Sequence, residues 1–214
     1  MFYHVSMMAV SHAPPHPALQ ELAEIVGPQG LLTDPSELLV YECDGFPIAK
    51  GRPEAVVFPT STQQVADCVR ILARHGWQIV PRGSGTGLAG GAVVFGSHGV
   101  LVSTSRMTRI LDIDLHNRVA LVEAGVRNTA LSDAVAAACQ AWQQQSPTPH
   151  VDTVLHFSPD PSSQRASTIG GNAATNAGGI NTLKHGVTTN HILAVEMVQA
   201  DGSVITTASQ PDAA

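Results

Sequence analysis

The chain has 214 residues, 43% of them hydrophobic, which is enough for one large domain or two small lobes around a real core. Only 13% are charged, the net charge is −6, and no run of lysine or arginine occurs, so a nucleic-acid surface is excluded as a reading. No apolar run approaches the ~18 residues of a transmembrane segment, and the opening residues lack the basic stretch and apolar run of a secretory signal. The three cysteines, Cys43, Cys68 and Cys139, are widely spaced with no C-x-x-C pair. They read as thiols in a reducing cytosol, not as a disulfide framework, zinc ribbon or iron–sulfur site.

Along the chain, residues 1–17 are rich in His and Pro and read as ragged. Leu19, Leu22, Ala23 and Val26 have helical spacing, stopped by Gly27-Pro28. Asp34-Pro35 predicts a second short helix through Leu38, Leu39 and Tyr41. "AVVFP" (55–59) is a short buried strand. A helix follows it, with Thr60 and Gln63 at capping-box spacing, an apolar face of Val65, Cys68, Val69 and Leu72, and Gly76 as terminator. "WQIVPRG" is strand again, so residues 55–82 read β-α-β with a parallel pair implied.

"GVLVST" predicts a further strand, and residues 110–126 two strands around His116-Asn117-Arg118. A helix follows, capped by Asn128 or Thr129, with Leu131, Val135 and Ala138 inward. Residues 140–156 and 159–186 lack periodicity and read as loops; "ILAVEMVQADGSVIT" closes the pattern as a hairpin around Asp201-Gly202. Parallel strands first and antiparallel strands last make the fold class α+β with two lobes, a parallel β-α-β lobe followed by a mainly antiparallel one.

Chemistry concentrates at Pro81–Gly91, "PRGSGTGLAGG", with five glycines in eleven residues. Gly85-x-Gly87-x-x-Gly90 matches the dinucleotide fingerprint, but the glycine-rich, β-branched residues after it do not suit the helix that this fingerprint requires. No lysine stands in the loop, so it is not a P-loop either. What remains is a nest of backbone N–H groups able to hold anionic oxygen without a helix, with Ser84 and Thr86 as hydroxyl donors and Arg82 as an added charge. A second segment, Pro159–Gly186, repeats this chemistry in Ser167, Thr168, Gly170, Gly171, Asn172, Asn176, Gly178 and Gly179. Two such loops suit a ligand whose diphosphate bridges two lobes.

Together, "PRGSGTGLAGG", "PDPSSQ", "STIGGNAATNAGG" and "LKHG" resemble the FAD-binding domain of the vanillyl-alcohol-oxidase/p-cresol-methylhydroxylase (PCMH)-type flavoproteins. Within that family the similarity is to the group of the glycolate oxidase D-subunit and the FAD-dependent D-lactate dehydrogenases. The resemblance covers residues 31–208, leaving 1–30 as an N-terminal segment and 209–214 as a tail. It implies two α+β lobes with FAD between them. Arg82, Gly83, Ser84, Gly85, Thr86, Gly87, Gly90 and Gly91 would wrap the pyrophosphate. Pro159, Asp160 and Ser162 would sit near the flavin. Ser167 to Asn172 and Asn176 to Gly179 would line the flavin and ribityl side, and the backbone around Ile192 and Val195 would approach the adenine end. Some relatives bind FAD covalently through a histidine in the first loop; Thr86 follows Gly85 here, so non-covalent FAD is expected. The chain departs from the family in lacking the cap domain after the last hairpin, and in His185 where relatives often have Tyr.

Other chemistry is poorly supported. His12 and His16 are separated by Pro14 and Pro15, which precludes a helical metal pair, and no H-E-x-x-H or G-x-S-x-G occurs. Asp112 and Asp114 read as a solvated strand face, and His156 and His185 as packing or backbone partners. Flavin carries the hydride chemistry in such enzymes, so no catalytic side chain is assigned and no metal is expected.

The resemblance therefore implies a module that oxidises a small 2-hydroxy acid of the glycolate or D-lactate type, passing electrons to a quinone, a cytochrome or another subunit. The alternative is a non-catalytic FAD-binding fragment or subunit that needs a partner chain; NAD binding at Gly85–Gly90 is a third reading. The expected location is the cytoplasm, peripheral to a membrane through partners, and the surface a cap would cover is expected to be apolar.

Overall fold

Local chemistry sets the first elements of the computed structural model, which describes residues 16–145 and 155–208. The expectations for residues 1–15, 146–154 and 209–214 lie outside the described residues. Helix α1 (Pro17–Val26) opens on His16, whose Nδ1 accepts from the Ala18 N–H at 3.1 Å, and ends at Gly27. After a short strand, β1 (Leu31–Leu32), helix α2 (Pro35–Leu38) is capped by Asp34, which accepts from the N–H groups of Ser36 and Glu37. It continues as a 3-10 turn through Tyr41.

Strand β2 (Ala55–Val57) leads into helix α3 (Thr62–Arg74), and strands β3 (Gln78–Arg82) and β4 (Gly99–Ser103) follow. The cap of α3 is Ser61, not Thr60: Ser61 Oγ accepts from the Gln64 N–H at 3.2 Å, and Gln64 Oε1 accepts from the Thr60 N–H at 2.8 Å. Both registers place a hydroxyl three residues before a glutamine. The one adopted turns Ala66, Cys68, Val69 and Leu72 into the core.

The sheet order is β1-β2-β4-β3. Strands β2 and β3 are parallel, as the β-α-β pattern implies, but they do not pair; β4 lies between them, parallel to both. All five residues of β4 are buried, and a strand so apolar needs neighbours on both edges and cover on both faces. On one face, α1 and α3 bring Leu22, Cys68 and Leu72, and the turn before β3 brings Trp77, onto Val57 and Val100. On the other, Leu38 and Val94 pack against Val56, Val80 and Leu101.

The second lobe begins with the antiparallel pair β5 (Ile110–Asp114) and β6 (Val119–Val122). Helix α4 (Asn128–Gln145) packs beside it, with Val126, Leu131 and Ile169 at the centre of a second core. This helix continues through residues 140–145, which the sequence reads as loop; the glutamines there are good helix formers, and periodicity gave no sign of the helix because Gln140, Gln143 and Gln144 face solvent. The 159–186 segment also departs from the loop reading, for it contains helices α5 (Ile169–Thr175) and α6 (Thr182–His185).

The hairpin of β7 (Glu196–Val198) and β8 (Val204–Thr206) returns to the first lobe. There Thr62 Oγ1 donates to Glu196 Oε1 at 2.5 Å and Arg70 donates to the Gly202 carbonyl at 2.6 Å. The result is the α+β, two-lobed architecture, parallel first and antiparallel after. Among the described residues no helix is long and apolar enough to cross a membrane.

Leu101 pairs with both Val56 and Val80 and is fully buried. Leu101→Ala is expected to lower the unfolding free energy by about 2–5 kcal/mol, read as a lower urea midpoint with unchanged slope.

Candidate functional site

The first glycine loop leaves the end of β3, and Arg82 is the residue at the turn. Its side chain folds back under the loop instead of pointing out of it. The guanidinium donates from Nη1 to the Ala92 carbonyl at 2.8 Å and from Nη2 to the Cys43 carbonyl at 3.0 Å, and it lies 5.5 Å from the centre of the Tyr41 ring. One side chain thereby ties the loop's start to its end and to the preceding turn. Asp44 completes the tie: its Oδ1 accepts from the Phe46 N–H at 2.8 Å and its Oδ2 from the Ala92 N–H at 3.4 Å. Burial lowers the Arg82 pKa, opposed by the charge of Asp44.

Gly85 has φ +70°, and a Cβ there would overlap the Arg82 guanidinium. Only glycine fits both demands. Ser84 and Thr86 sit on either side of it with their hydroxyl oxygens 3.5 Å apart. Gly90 is buried next to Ala49 and Phe95, whereas nothing stands within 4 Å of a Cβ built on Gly91 and only Asp44 Oδ2, at 3.9 Å, near one on Gly87. The loop is thus packed at Gly85 and Gly90, has its Thr86 and Gly87 carbonyls against Gly45, and is open at Gly91.

The second segment is held from several directions. Pro159 is buried, and its carbonyl accepts from Asn128 Nδ2 at 2.9 Å. Asp160 Oδ1 accepts from the Asn181 N–H at 2.9 Å and Gly179 lies directly against Asp160, while Ser162 is exposed on a turn. The Ser167 carbonyl accepts from the Asn128 N–H at 3.0 Å. Thr168 caps α5, its Oγ1 accepting from the Gly171 N–H at 3.2 Å, and the Gly170 N–H donates to the Ala124 carbonyl at 2.9 Å. Gly170, Gly171 and Asn172 therefore lie in a helical turn, not in an open loop; Thr168 as cap and Ile169 in the core outweigh two glycines. Asn176 ends that helix in the left-handed region, φ 48°, and its Oδ1 accepts from the Thr189 N–H at 3.1 Å. Gly178 lies against Thr182 and Val187. Ile192 is half-buried beyond the 3-10 turn Thr188–His191, and the N–H and carbonyl of Val195 are both taken up by Thr207.

The two segments meet at one point. A Cβ on Gly83 would lie 2.6 Å from Thr168 Oγ1 and 3.7 Å from the Gly171 Cα. The end of a parallel strand in one lobe and the start of a helix in the other are thereby in van der Waals contact. Arg82–Thr86 and Thr168–Gly171 come together there; Ile192 and Val195 belong to a separate stretch leading into β7.

Among the described residues, the second lobe holds three buried polar atoms without partners beside this junction: Asn128 Oδ1, Ser167 Oγ and Asn172 Nδ2. Their residues are 1%, 3% and 2% exposed. Buried polar groups in native proteins are nearly always paired, so an acceptor, a hydroxyl and a donor left open together are groups that ask for a partner. The sequence offers Asn128 or Thr129 as the helix cap; in the structure Asn128 is the first residue of α4 and its amide faces inward onto Pro159. An Asn at a helix start was its one signal, and that signal points equally to a cap. His185 and His156 are exposed, and the His185 carbonyl accepts from His191 Nε2 at 2.9 Å. Among the described residues no group of three His, Cys, Asp or Glu side chains is placed to hold a metal ion.

Residues 53–208 match the family described as FAD binding domain, a span holding both loops and the hairpin. The chain belongs to that family. It is 41% identical over 191 residues to the glycolate oxidase subunit GlcD of Escherichia coli (strain K12), covering 89% of this chain and 35% of that protein. It is 36% identical to a D-lactate dehydrogenase of Anaerostipes hadrus, covering 73% and 29%, and 34% identical to a D-2-hydroxyglutarate dehydrogenase of Stutzerimonas stutzeri (strain A1501), covering 88% and 38%. The chain thus spans about a third of the length of these relatives.

Among solved structures, an alkyldihydroxyacetonephosphate synthase superposes with a TM-score of 0.75 at 20% identity, covering 99% of this chain and 38% of that one. p-Cresol methylhydroxylase superposes with a TM-score of 0.63 at 23% identity, covering 89% and 34%. These likenesses show the PCMH-type FAD-binding fold, and FAD is the cofactor of the FAD-binding family.

Glu123 braces the second side of the junction. Its buried carboxylate accepts from the Arg109 N–H at 2.7 Å and from the Arg109 guanidinium at 2.7 and 2.9 Å, one residue before the Ala124 carbonyl that holds Gly170. Arg109 keeps this carboxyl below the usual glutamate range. A depressed carboxylate pKa gives stability that is present above the unfolded pKa and lost as pH falls through the folded one. Glu123→Gln is therefore expected to be less stable than wild type at neutral pH, with the gap closing as pH drops below the ordinary glutamate range; paired urea titrations across pH measure it.

Proposed function

We propose that this chain is the FAD-holding module of an oxidoreductase acting on a small 2-hydroxy acid. The observation that carries this reading is the contact of the two glycine segments at Gly83 and Thr168, which leaves room for backbone and none for a side chain. A diphosphate laid across that junction would meet backbone N–H groups of the first loop together with the hydroxyls of Ser84 and Thr86. The open acceptor, hydroxyl and donor of Asn128, Ser167 and Asn172 suit a flavin, whose ring edge and ribityl chain carry both donors and acceptors. Both observations support a fit between this site and FAD. Pro159, Asp160 and Ser162, with Asn176, Gly178 and Gly179, frame the same lobe and would border the flavin; Ile192 and Val195 would lie toward the adenine. The loop Arg82–Gly91 contains no histidine, cysteine or tyrosine, which supports FAD held without a covalent bond to it.

When bound, FAD supplies the two-electron chemistry. The chain's own work is to hold the diphosphate on a rigid backbone, fix the flavin's orientation through the second lobe, and keep the junction closed to water. The substrate class follows from the relatives' names: glycolate, D-lactate and D-2-hydroxyglutarate are all 2-hydroxy acids.

A second reading is a subunit that holds FAD but needs another polypeptide for turnover. It is supported by the word "subunit" in the name of one of the relatives and by exposed apolar side chains on the two segments: Leu88 at 76%, Ile180 at 91% and Leu183 at 99%.

Purified chain mixed with FAD and freed of excess ligand should retain a visible flavin band. Ser84→Asp/Thr86→Asp places two carboxylates against the diphosphate and should weaken retention at least ~10-fold, about 1.4 kcal/mol, with an unchanged far-UV spectrum. A colourless wild-type protein with native secondary structure would overturn the proposal. Anaerobic bleaching of the band by glycolate, D-lactate or D-2-hydroxyglutarate would favour the complete enzyme reading, and a band that none of them bleaches would favour the subunit.

A further inference from the structure

Thr62, Ala66 and Arg70 stand four residues apart on α3 and so share one face of that helix. The hairpin of β7 and β8 lies along this face. At its base Thr62 Oγ1 donates to Glu196 Oε1 at 2.5 Å, and at its tip Arg70 Nη2 donates to the Gly202 carbonyl at 2.6 Å. Arg70 is braced in turn by Asp67 Oδ1 at 2.7 Å. The tip fits closely: Gly202 is buried at φ +78°, and a Cβ there would lie 2.4 Å from Arg70 Cγ and 2.9 Å from the Ala66 carbonyl oxygen. A side chain at this position would push the hairpin off the helix.

Both partners in this contact lead back to the glycine junction. Strands β2 and β3 are each parallel to β4, so α3, which follows β2, starts at the end of the sheet where β3 stops at Arg82. On the other side, the chain that enters β7 is tied to α5. The Ala177 carbonyl accepts from the Thr188 N–H at 3.0 Å and from the Thr188 hydroxyl at 2.6 Å, and Asn176 Oδ1 accepts from the Thr189 N–H at 3.1 Å. Thr188 is fully buried. Helix α5 opens at Thr168, the residue against Gly83. The two lobes therefore meet at the junction and again along α3, with hydrogen-bonded chain between the two contacts on each side.

We infer that Thr62, Arg70 and Glu196 are positioning residues: with the Gly202 turn they form a clasp that fixes the separation of the two lobes, and through it the affinity for FAD, without touching the cofactor. This inference rests on the FAD reading above. A cofactor that spans both lobes binds their closed arrangement, so its apparent dissociation constant rises as the closed fraction falls. A purely structural role makes a different demand. A contact that only adds stability lowers the melting temperature when it is lost and leaves the affinity of the folded protein unchanged.

The test is FAD titration well below the melting temperature, paired with thermal melts of the FAD-free proteins. Arg70→Met keeps the stem that packs on Gly202 and removes the donor. Thr62→Val keeps the shape and removes the hydroxyl, and Glu196→Leu removes the acceptor. Each should raise the FAD dissociation constant at least ~3-fold, and Arg70→Met/Thr62→Val at least ~10-fold, with an unchanged far-UV spectrum. Glu196→Gln, whose amide oxygen still accepts from Thr62, should recover most of the loss seen in Glu196→Leu. Equal FAD affinity in wild type and the folded double variant, whatever its melting temperature, would overturn the inference while leaving FAD binding intact. If the double variant does not fold, the single variants decide by the same comparison. Wild type that binds no FAD would instead overturn the reading on which the inference rests.

Discussion

The architecture depends on a contact with no space in it, Gly83 against Thr168 Oγ1 across the boundary between lobes. For that contact to exist, β3 must end at Arg82, and the turn after it must be held tightly enough to present bare backbone. The buried guanidinium does this from inside the loop, and Asp44 does it from the neighbouring turn. On the far side, Thr168 must be held still. Its hydroxyl is fixed by capping α5, its neighbour Ile169 is sunk in the second core, and Gly170 is hydrogen-bonded to Ala124 next to the Glu123–Arg109 pair. Strands, helices and an ion pair thus converge on placing two short pieces of main chain against each other.

Much of this was legible in the sequence because it is local. Helical spacing in Leu22 to Val26 and Val65 to Leu72, the Asp34 cap and the Asp201-Gly202 turn each carry their own signal within a few residues, and each element is present. The two glycine segments were legible for the same reason, since their composition has few other uses. What was not legible is tertiary. No local signal says that β4 inserts between β2 and β3; that order follows from β4 being buried along its whole length and needing two neighbours, a demand met only by distant chain. Helix α5 was hidden because Gly170-Gly171 argues against a helix on propensity, while the cap and the buried Ile169 that favour it belong to the assembled lobe.

The direction of a side chain is another thing the sequence does not carry. Arginine in a glycine loop reads as a charge offered to an anion. Here it is taken up by the Cys43 and Ala92 carbonyls, which only the assembled structure reveals. Asn128 presents the same problem in reverse. At a helix start it resembles a cap, yet α4 closes over it and leaves one amide atom open beside Ser167 and Asn172.

A site built in this way makes an unusual demand on its sequence. On the proposed reading, recognition would come from backbone groups, a few hydroxyls and buried amides, around a buried arginine. That agrees with a chain that is 13% charged and has 19 glycines. The residues that set the shape of such a site work inside the protein: a glycine whose Cβ would strike a neighbour, a threonine whose hydroxyl is already used by a helix, and an arginine bound to two carbonyls. In this fold the cofactor's chemistry is contained in the ligand, and the protein's part is to hold main chain from two lobes at a separation that only glycine allows.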